Sequence, residues 1–86
     1  MIQKSSLVIY PNPVRDNFVL QLNNNQTGKM NVQVVNQAGE IVHSFLFNKD
    51  QVVNQVTVPT SDLATGVYFI HVQIGTWSDR RKIVKL

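Results

Sequence analysis

Apolar and polar residues alternate with a period of two along most of this 86-residue chain. The alternation is clearest at 18–22, 30–34 and 67–74, where every second residue is strongly apolar. Alternation of this kind is typical of β-strands that bury one face. No segment combines the three-to-four-residue apolar spacing of an amphipathic helix with helix caps. The chain is therefore predicted to be all-β.

Clusters of Asn, Gly, Pro and Asp separate the apolar segments. Pro11 and Pro13 follow the first segment, and because proline cannot donate to a β-ladder we expect that strand to lie at a sheet edge and end there. Seven short strands, separated by turn signals about every 8–12 residues, predict an immunoglobulin-like seven-stranded antiparallel β-sandwich. The predicted strands are 7–10, 18–22, 30–34, 41–47, 52–58, 67–74 and 80–86.

Two glycines have predicted backbone roles. Gly39 closes the short loop 36–40, where a type I turn followed by a residue of positive φ would join two strands. Gly66 lies in "DLATGVY" and would permit a sharp entry into the sixth strand. There Leu63 is expected to plug the core. Tyr68 is expected to bond through its hydroxyl to the main chain a few residues upstream, as in the tyrosine corner of many sandwiches.

Length and composition limit the candidate functions. Eighty-six residues form one domain at most, with little room for a deep catalytic cleft. The chain has no cysteine, so disulfides, thiol nucleophiles and cysteine-ligated metals are excluded. No apolar run is long enough for a transmembrane helix, and the residues before the predicted domain are not expected to form a secretory leader. If the protein is exported, this chain is expected to be only part of it.

Candidate catalytic and metal-binding residues do not form a recognisable site. His43 and His71 each lie within a predicted strand, with no second ligand at metal-binding spacing. The acidic residues all lie in or beside predicted turns, and Asp62 is interpreted as a turn-capping residue. The four glycines are isolated, so no phosphate-binding loop is present. We predict no enzymatic activity, no cofactor and no metal. The glycosylation sequon at 25–27 is interpreted as a chance match.

The positive charge is concentrated at one end of the chain. Net charge is +3, and half of the Lys and Arg residues lie in the last seven positions, as Arg80, Arg81, Lys82 and Lys85. Such a cluster either meets an acidic or phosphate-bearing partner or is the solvated face of a strand. Nucleic-acid binding is not predicted, because Trp77 is the only aromatic residue beside the cluster.

Four motifs occur in order along the chain: "YPNP" at Tyr10–Pro13, "NQAGEIV" at Asn36–Val42, "LATGVYFIHV" at Leu63–Val72 and "RRKIVKL" at Arg80–Leu86. Together they resemble the C-terminal sorting domain of the type IX (Por) secretion system of Bacteroidetes. The resemblance covers residues 7–86, so residues 1–6 are interpreted as a linker remnant. Pro11, Pro13, Gly39, Leu63, Gly66 and Tyr68 fall on its fold positions.

The resemblance implies function by recognition. Domains of this family follow a cargo protein, which crosses the periplasm to the cell surface or is secreted. The expected partners are this upstream cargo, the outer-membrane translocon with its shuttle, and a sortase-like peptidase that removes the domain and can attach the cargo to the surface. With neither leader nor cargo, the chain is expected to be an excised domain.

The terminal strand is the predicted recognition element, comprising Arg80, Arg81, Lys82, Ile83, Val84, Lys85 and Leu86. It could be read by strand addition or by an acidic groove. The alternative class is a fibronectin-like structural module or a carbohydrate-binding module of a secreted enzyme, although few aromatic residues are free to stack on sugars. A homodimer formed through an exposed edge strand is the remaining candidate assembly.

Overall fold

The computed structural model describes residues 5–86, and at position 53 the main chain only. Most of the predicted linker, residues 1–4, lies outside the described part, and Ser6 already belongs to the first strand. The strands are β1 (Ser6–Tyr10), β2 (Asn17–Asn23), β3 (Gly28–Val35), β4 (Ile41–Lys49), β5 (Val53–Pro59), β6 (Gly66–Ile74) and β7 (Trp77–Lys85).

The strands form two antiparallel sheets, which confirms the predicted all-β sandwich. One sheet has three strands in the order β1-β2-β5, and the other has four in the order β4-β3-β6-β7. β1 lies at a sheet edge, as the two prolines after it predict. Within residues 5–86 there is no helix of the length and apolarity needed to cross a membrane.

The core is the space between the two sheets, filled by alternate residues of the inner strands. Phe18, Leu20 and Leu22 of β2 are fully buried, and they pack in one cluster with the alternating residues of β3 and β6. This is the face that the sequence pattern predicts, because successive side chains of a strand point to opposite sides. The other members of the buried cluster are Leu7, Val14, Met30, Val32, Val34, Val58, Tyr68, Ile70, Val72, Ile74 and Ile83.

Two of the predicted turns are shorter than expected. The predicted turn at 75–79 is only Gly75 and Thr76, because Ile74 pairs with Trp77 and the strand begins there. Gly75, with a φ of 56°, makes this two-residue turn possible. The predicted polar break at 48–51 is also shorter, because Asn48 and Lys49 continue β4.

Lys49 is buried at the end of β4, with 1% of its surface exposed. Its ammonium donates hydrogen bonds to the carbonyl oxygens of Asn24, Gln26 and Gln51 at 2.9, 2.8 and 2.7 Å. Burial lowers the pKa of Lys49 from its ordinary value. The side chain therefore ties the β2–β3 turn to the segment that follows β4, an arrangement the polar sequence did not predict.

The turn between β3 and β4 has the predicted geometry. Gly39 has a φ of 84°, and its N–H donates to the Asn36 carbonyl at 3.0 Å. The Asn36 side-chain oxygen accepts hydrogen bonds from the N–H groups of Ala38 and Glu40 at 3.0 and 2.9 Å. A positive φ is costly for residues with a Cβ, so this position favours glycine.

The corner before β6 also matches its prediction. The Tyr68 hydroxyl donates to the Ala64 carbonyl at 2.7 Å, four residues upstream. Leu63 packs against the core, and its N–H donates to the Thr60 carbonyl at 3.0 Å. The stretch "SDLATGVY" thus fixes the start of β6, the strand that lies between β3 and β7 in the sheet.

Candidate recognition surface

The basic cluster lies on β7, which is an edge strand of the four-stranded sheet and pairs with β6. Because successive side chains of a strand point to opposite faces, some of the seven predicted recognition residues are buried and others are exposed. Ile83 and Lys85 are buried, with 1% and 7% of their surfaces exposed, and Val84 is half-buried. The accessible residues are Arg80, Arg81, Lys82 and Leu86. The structure therefore does not present the predicted set as one continuous surface.

Arg81 is engaged by a neighbour on its own strand. Its guanidinium lies 2.9 Å from the Asp79 carboxylate, and the same nitrogen donates to the Arg80 carbonyl at 2.8 Å. The other oxygen of Asp79 accepts the Arg80 N–H at 2.8 Å. Both main-chain groups of Arg80 are therefore already bonded by side chains of adjacent residues.

The end of β7 is closed by the segment that follows β1. The Asn12 side chain accepts the Val84 N–H at 3.0 Å and donates to the Lys82 carbonyl at 3.4 Å. Val14, fully buried, donates its N–H to the Val84 carbonyl at 2.7 Å and accepts the Leu86 N–H at 2.8 Å. We call Asn12 and Val14 the edge clamp.

The edge clamp changes the interpretation of "YPNP" and of the terminal strand. Strand addition needs free main-chain groups along an edge, and between Lys82 and Leu86 these groups are largely taken. A partner strand could pair there only after displacing the clamp, so the accessible groups of this segment on the folded domain are mainly side chains. Pro11 and Pro13 flank Asn12 in this clamp, and both of their peptide bonds are cis. The sequence feature that could have indicated the edge clamp is an Asn between two prolines, followed by one isolated apolar residue.

Two of the three accessible cations of β7 face outward, away from the core. Arg80 and Lys82 lie on the outer face of the four-stranded sheet, opposite His71 and Phe69 of β6 in the strand register. Two shallow hollows on this face share His71 and Arg80 in their linings, one polar along β6 and β7 and one beside the 36–39 turn. The outer face is thus a polar and basic surface with a partly apolar floor.

The charge on this face is mainly positive. Its cations are Lys29, Arg80 and Lys82, and within the described strands β3, β4, β6 and β7 the one acid is Asp79, which lines the polar hollow and is engaged by Arg81. An acidic partner would therefore meet no unpaired negative charge on these strands that could repel it. Arg80 and Lys82, on alternate positions of one strand, form the densest part of the positive surface.

His43 and Asp62 form a pair that spacing along the chain did not predict. The His43 Nε2 lies 3.0 Å from an Asp62 carboxylate oxygen, and this hydrogen bond holds the pKa of Asp62 below its ordinary value. The pair joins β4 to the corner before β6, so Asp62 does more than cap a turn. In the part of the chain from 5 to 86, no three His, Asp or Glu side chains group closely enough to hold a metal ion.

These features define a small all-β domain with two exposed cations, Arg80 and Lys82, on the outer face of an edge strand. A family model described as "secretion system C-terminal sorting domain" matches residues 8–86. The chain therefore belongs to this family, the C-terminal sorting signal of the type IX secretion system. No curated protein matches the chain. The structural and carbohydrate-binding alternatives are not favoured, whereas the sorting role implies a cargo and the secretion machinery as partners.

Proposed function

We propose that this domain directs a fused upstream cargo from the periplasm through the outer-membrane translocon, and that it acts by recognition without catalysis. Membership of the sorting-signal family supports this role. We further propose that a sortase-like peptidase removes the domain, with the cargo then held at the cell surface or released. The partner that reads the domain is expected to be the translocon or its shuttle.

We infer that the feature read on the folded domain is the outer face of β7, through Arg80 and Lys82. The observation that carries this inference is the largely closed edge of the strand. Side chains of adjacent residues bond both main-chain groups of Arg80, and the edge clamp bonds the Lys82 carbonyl, both main-chain groups of Val84 and the Leu86 N–H. Side chains then provide the accessible chemistry. Because both residues are exposed cations, the complementary surface is acidic, and opposite charges would speed encounter and select the orientation.

Of the other predicted residues, Ile83, Val84 and Lys85 would support recognition indirectly. Ile83 packs in the core, and Lys85 is buried with its ammonium 2.9 Å from the main-chain oxygen of Leu86. Deleting Lys82–Leu86 would remove these contacts together with the partners of the edge clamp. We expect such a deletion to block surface delivery, but through loss of the fold as well as loss of the signal.

A charge reversal separates these two effects. A reporter carrying a secretory leader and this domain is expressed in a bacterium with a type IX system, either unchanged or with Arg80→Glu and Lys82→Glu. Both positions are exposed, so the fold should persist. We expect surface delivery to fall about tenfold, with the reporter accumulating in the periplasm. Shortened reporter at the surface, seen by immunoblotting, would support removal of the domain.

The matched control is Lys29→Glu. Lys29 is an exposed cation on the same face, near the far end of β3, where it is opposite Asn48. The double variant reverses two charges and the control reverses one, so the loss of delivery is compared per reversed charge. An equal loss for Lys29→Glu would mean that the secretion machinery responds to the overall charge of the domain and not to β7. Normal delivery of the folded double variant would contradict the proposed recognition surface.

A further inference from the structure

Within residues 5–86, the other edge of the four-stranded sheet is open. β4 forms this edge with nine residues and no proline, and its one fully charged side chain, Lys49, is buried at the end of the strand. Among residues 5–86, no main-chain hydrogen bond to another segment reaches the outward side of β4. Proteins commonly protect edge strands with charges, prolines, bulges or covering loops. β7 has such protection, whereas β4 lacks it beyond the single register shift near its start.

The hydrogen-bonding pattern shows which residues point their main-chain groups outward. In antiparallel sheets, successive residues bond alternately to the strand on one side and to the strand on the other. The outward groups of Val84 on β7 are bonded to Asn12 and Val14. This alternation can be counted from Val84 through the paired residues of β6 and β3 to β4. On β4, the residues whose main-chain N–H and C=O groups point outward are then Ser44, Leu46 and Asn48.

The exposed side chains of β4 are either apolar, at Ile41, Val42 and Leu46, or polar and uncharged, at Ser44 and Asn48. Leu46 is the most exposed large hydrophobic residue described, at 62%, and Ile41 follows at 57%. On the inner face, Phe45 and Phe47 are half-buried with ring centroids 6.2 Å apart. A free edge that is uncharged and largely apolar is a template for pairing with another strand.

We propose that the open edge of β4 pairs with β4 of a second copy of this chain, antiparallel about a twofold axis at Leu46. This register places Leu46 opposite Leu46 of the second copy and Ser44 opposite Asn48. On the inner face, Phe45 lies opposite Phe47 of the second copy. The three residues with outward groups then all bond across the interface, and the two four-stranded sheets become one of eight strands.

Charge favours a second copy as the occupant. Identical surfaces meet at a twofold interface, so an edge with exposed charges would repel itself. β4 presents no exposed Lys, Arg, Asp or Glu, whereas β7 paired with itself would bring Arg80, Arg81 and Lys82 of both copies together. In the proposed dimer the two β7 strands are seven strand spacings apart, roughly 34 Å, whereas screening acts over about 8 Å. The basic surfaces of both copies therefore remain free.

The proposed interface is one pair of strands, so it is small. Interfaces below about 1,200 Å² are usually weak, and we expect a dissociation constant of roughly 10–100 µM. The test is sedimentation equilibrium of the full 86-residue chain between about 5 and 500 µM, in which the dimer fraction should rise with concentration.

Leu46→Lys is the disrupting variant, because it places two ammonium groups directly opposite each other. We expect it to weaken dimerisation at least about tenfold while leaving the circular dichroism spectrum unchanged. Val8→Lys is the matched control, since Val8 is an exposed apolar residue on β1, an edge strand of the other sheet. Leu46→Pro is a second variant: it removes an N–H that points to solvent in the monomer but bonds across the proposed dimer.

Dimerisation that persists in folded Leu46→Lys and Leu46→Pro would overturn the proposal, as would equal weakening by Val8→Lys. A wild-type chain that stays monomeric at about 500 µM would also overturn it, and would leave a strand of another protein as the candidate occupant of this edge. Wild-type dimers that are lost in the Leu46 variants and kept in Val8→Lys would support it.

Discussion

Replacing Lys49 by Met should destabilise the domain substantially. Met has a similar length but no donor, so the carbonyls of Asn24, Gln26 and Gln51 all lose the bonds that the ammonium now provides. Asn24 is 2% exposed, and its carbonyl would be left buried without this donor. Gln26 and Gln51 are exposed residues whose carbonyls water can reach more easily.

The size of the effect follows from these differences in burial. Leaving a buried polar group unsatisfied costs about 1–3 kcal/mol, and partly hydrated carbonyls cost less. The variant also avoids the desolvation of a buried ammonium, which offsets part of the loss. We expect a net decrease of about 2–3 kcal/mol in the free energy of unfolding, from a total of roughly 4–13 kcal/mol for a domain of this length. The midpoint of thermal unfolding should fall by roughly 10–20 °C.

Thermal and urea unfolding followed by circular dichroism would measure this change, with Lys29→Met as the matched control. Lys29 is exposed on β3, so the same substitution there should change stability by no more than about 0.5 kcal/mol. Equal effects of the two substitutions, or a more stable Lys49→Met variant, would refute the argument that the three carbonyl bonds outweigh the cost of burying the charge.

Two further predictions concern the corner before β6. Tyr68→Phe should lower the free energy of unfolding by about 1 kcal/mol in urea denaturation, because the bond to Ala64 is lost while the ring stays buried; unchanged stability would show that the bond contributes nothing. In NMR titration the pKa of the Asp62 carboxyl should lie below its ordinary 3.8 and rise in His43→Gln. Because folding lowers the pKa of Asp62, its pairing with His43 stabilises the fold fully at pH above the carboxyl's pKa in the unfolded chain. This stabilisation disappears as the pH falls through the pKa in the folded chain. An unshifted Asp62 pKa would contradict the pairing.

The period-two pattern was sufficient to predict the fold class and the buried faces of β2, β3 and β6. Apart from Val35, which is buried next to Val34 at the end of β3, buried apolar residues alternate in these strands with polar or half-buried ones, so hydrophobic burial leaves only one choice of face. The Tyr68 corner and the positive φ of Gly39 were also predictable, because each depends on residues within a few positions along the chain.

The recognition residues were less predictable. A cluster of charges in sequence indicates a basic strand, but strand pairing decides which side chains are accessible. Lys85 and Lys49 are buried although both are lysines, and the Asp79–Arg81 ion pair removes one of the exposed cations. Composition alone gave all four terminal cations equal weight, whereas Arg80 and Lys82 carry the outward charge.

The amino-acid sequence by itself determined the local properties of this protein: its strands, its main turns, its buried faces and its membership of the sorting-domain family. Those properties depend on side-chain periodicity and on backbone preferences of neighbouring residues. Only the tertiary structure decided which edges are open. Asn12 reaches Val84 across 72 positions and closes β7, whereas no segment of the described residues 5–86 pairs with the outer edge of β4. Such contacts depend on how the two sheets stack, which no local pattern specifies.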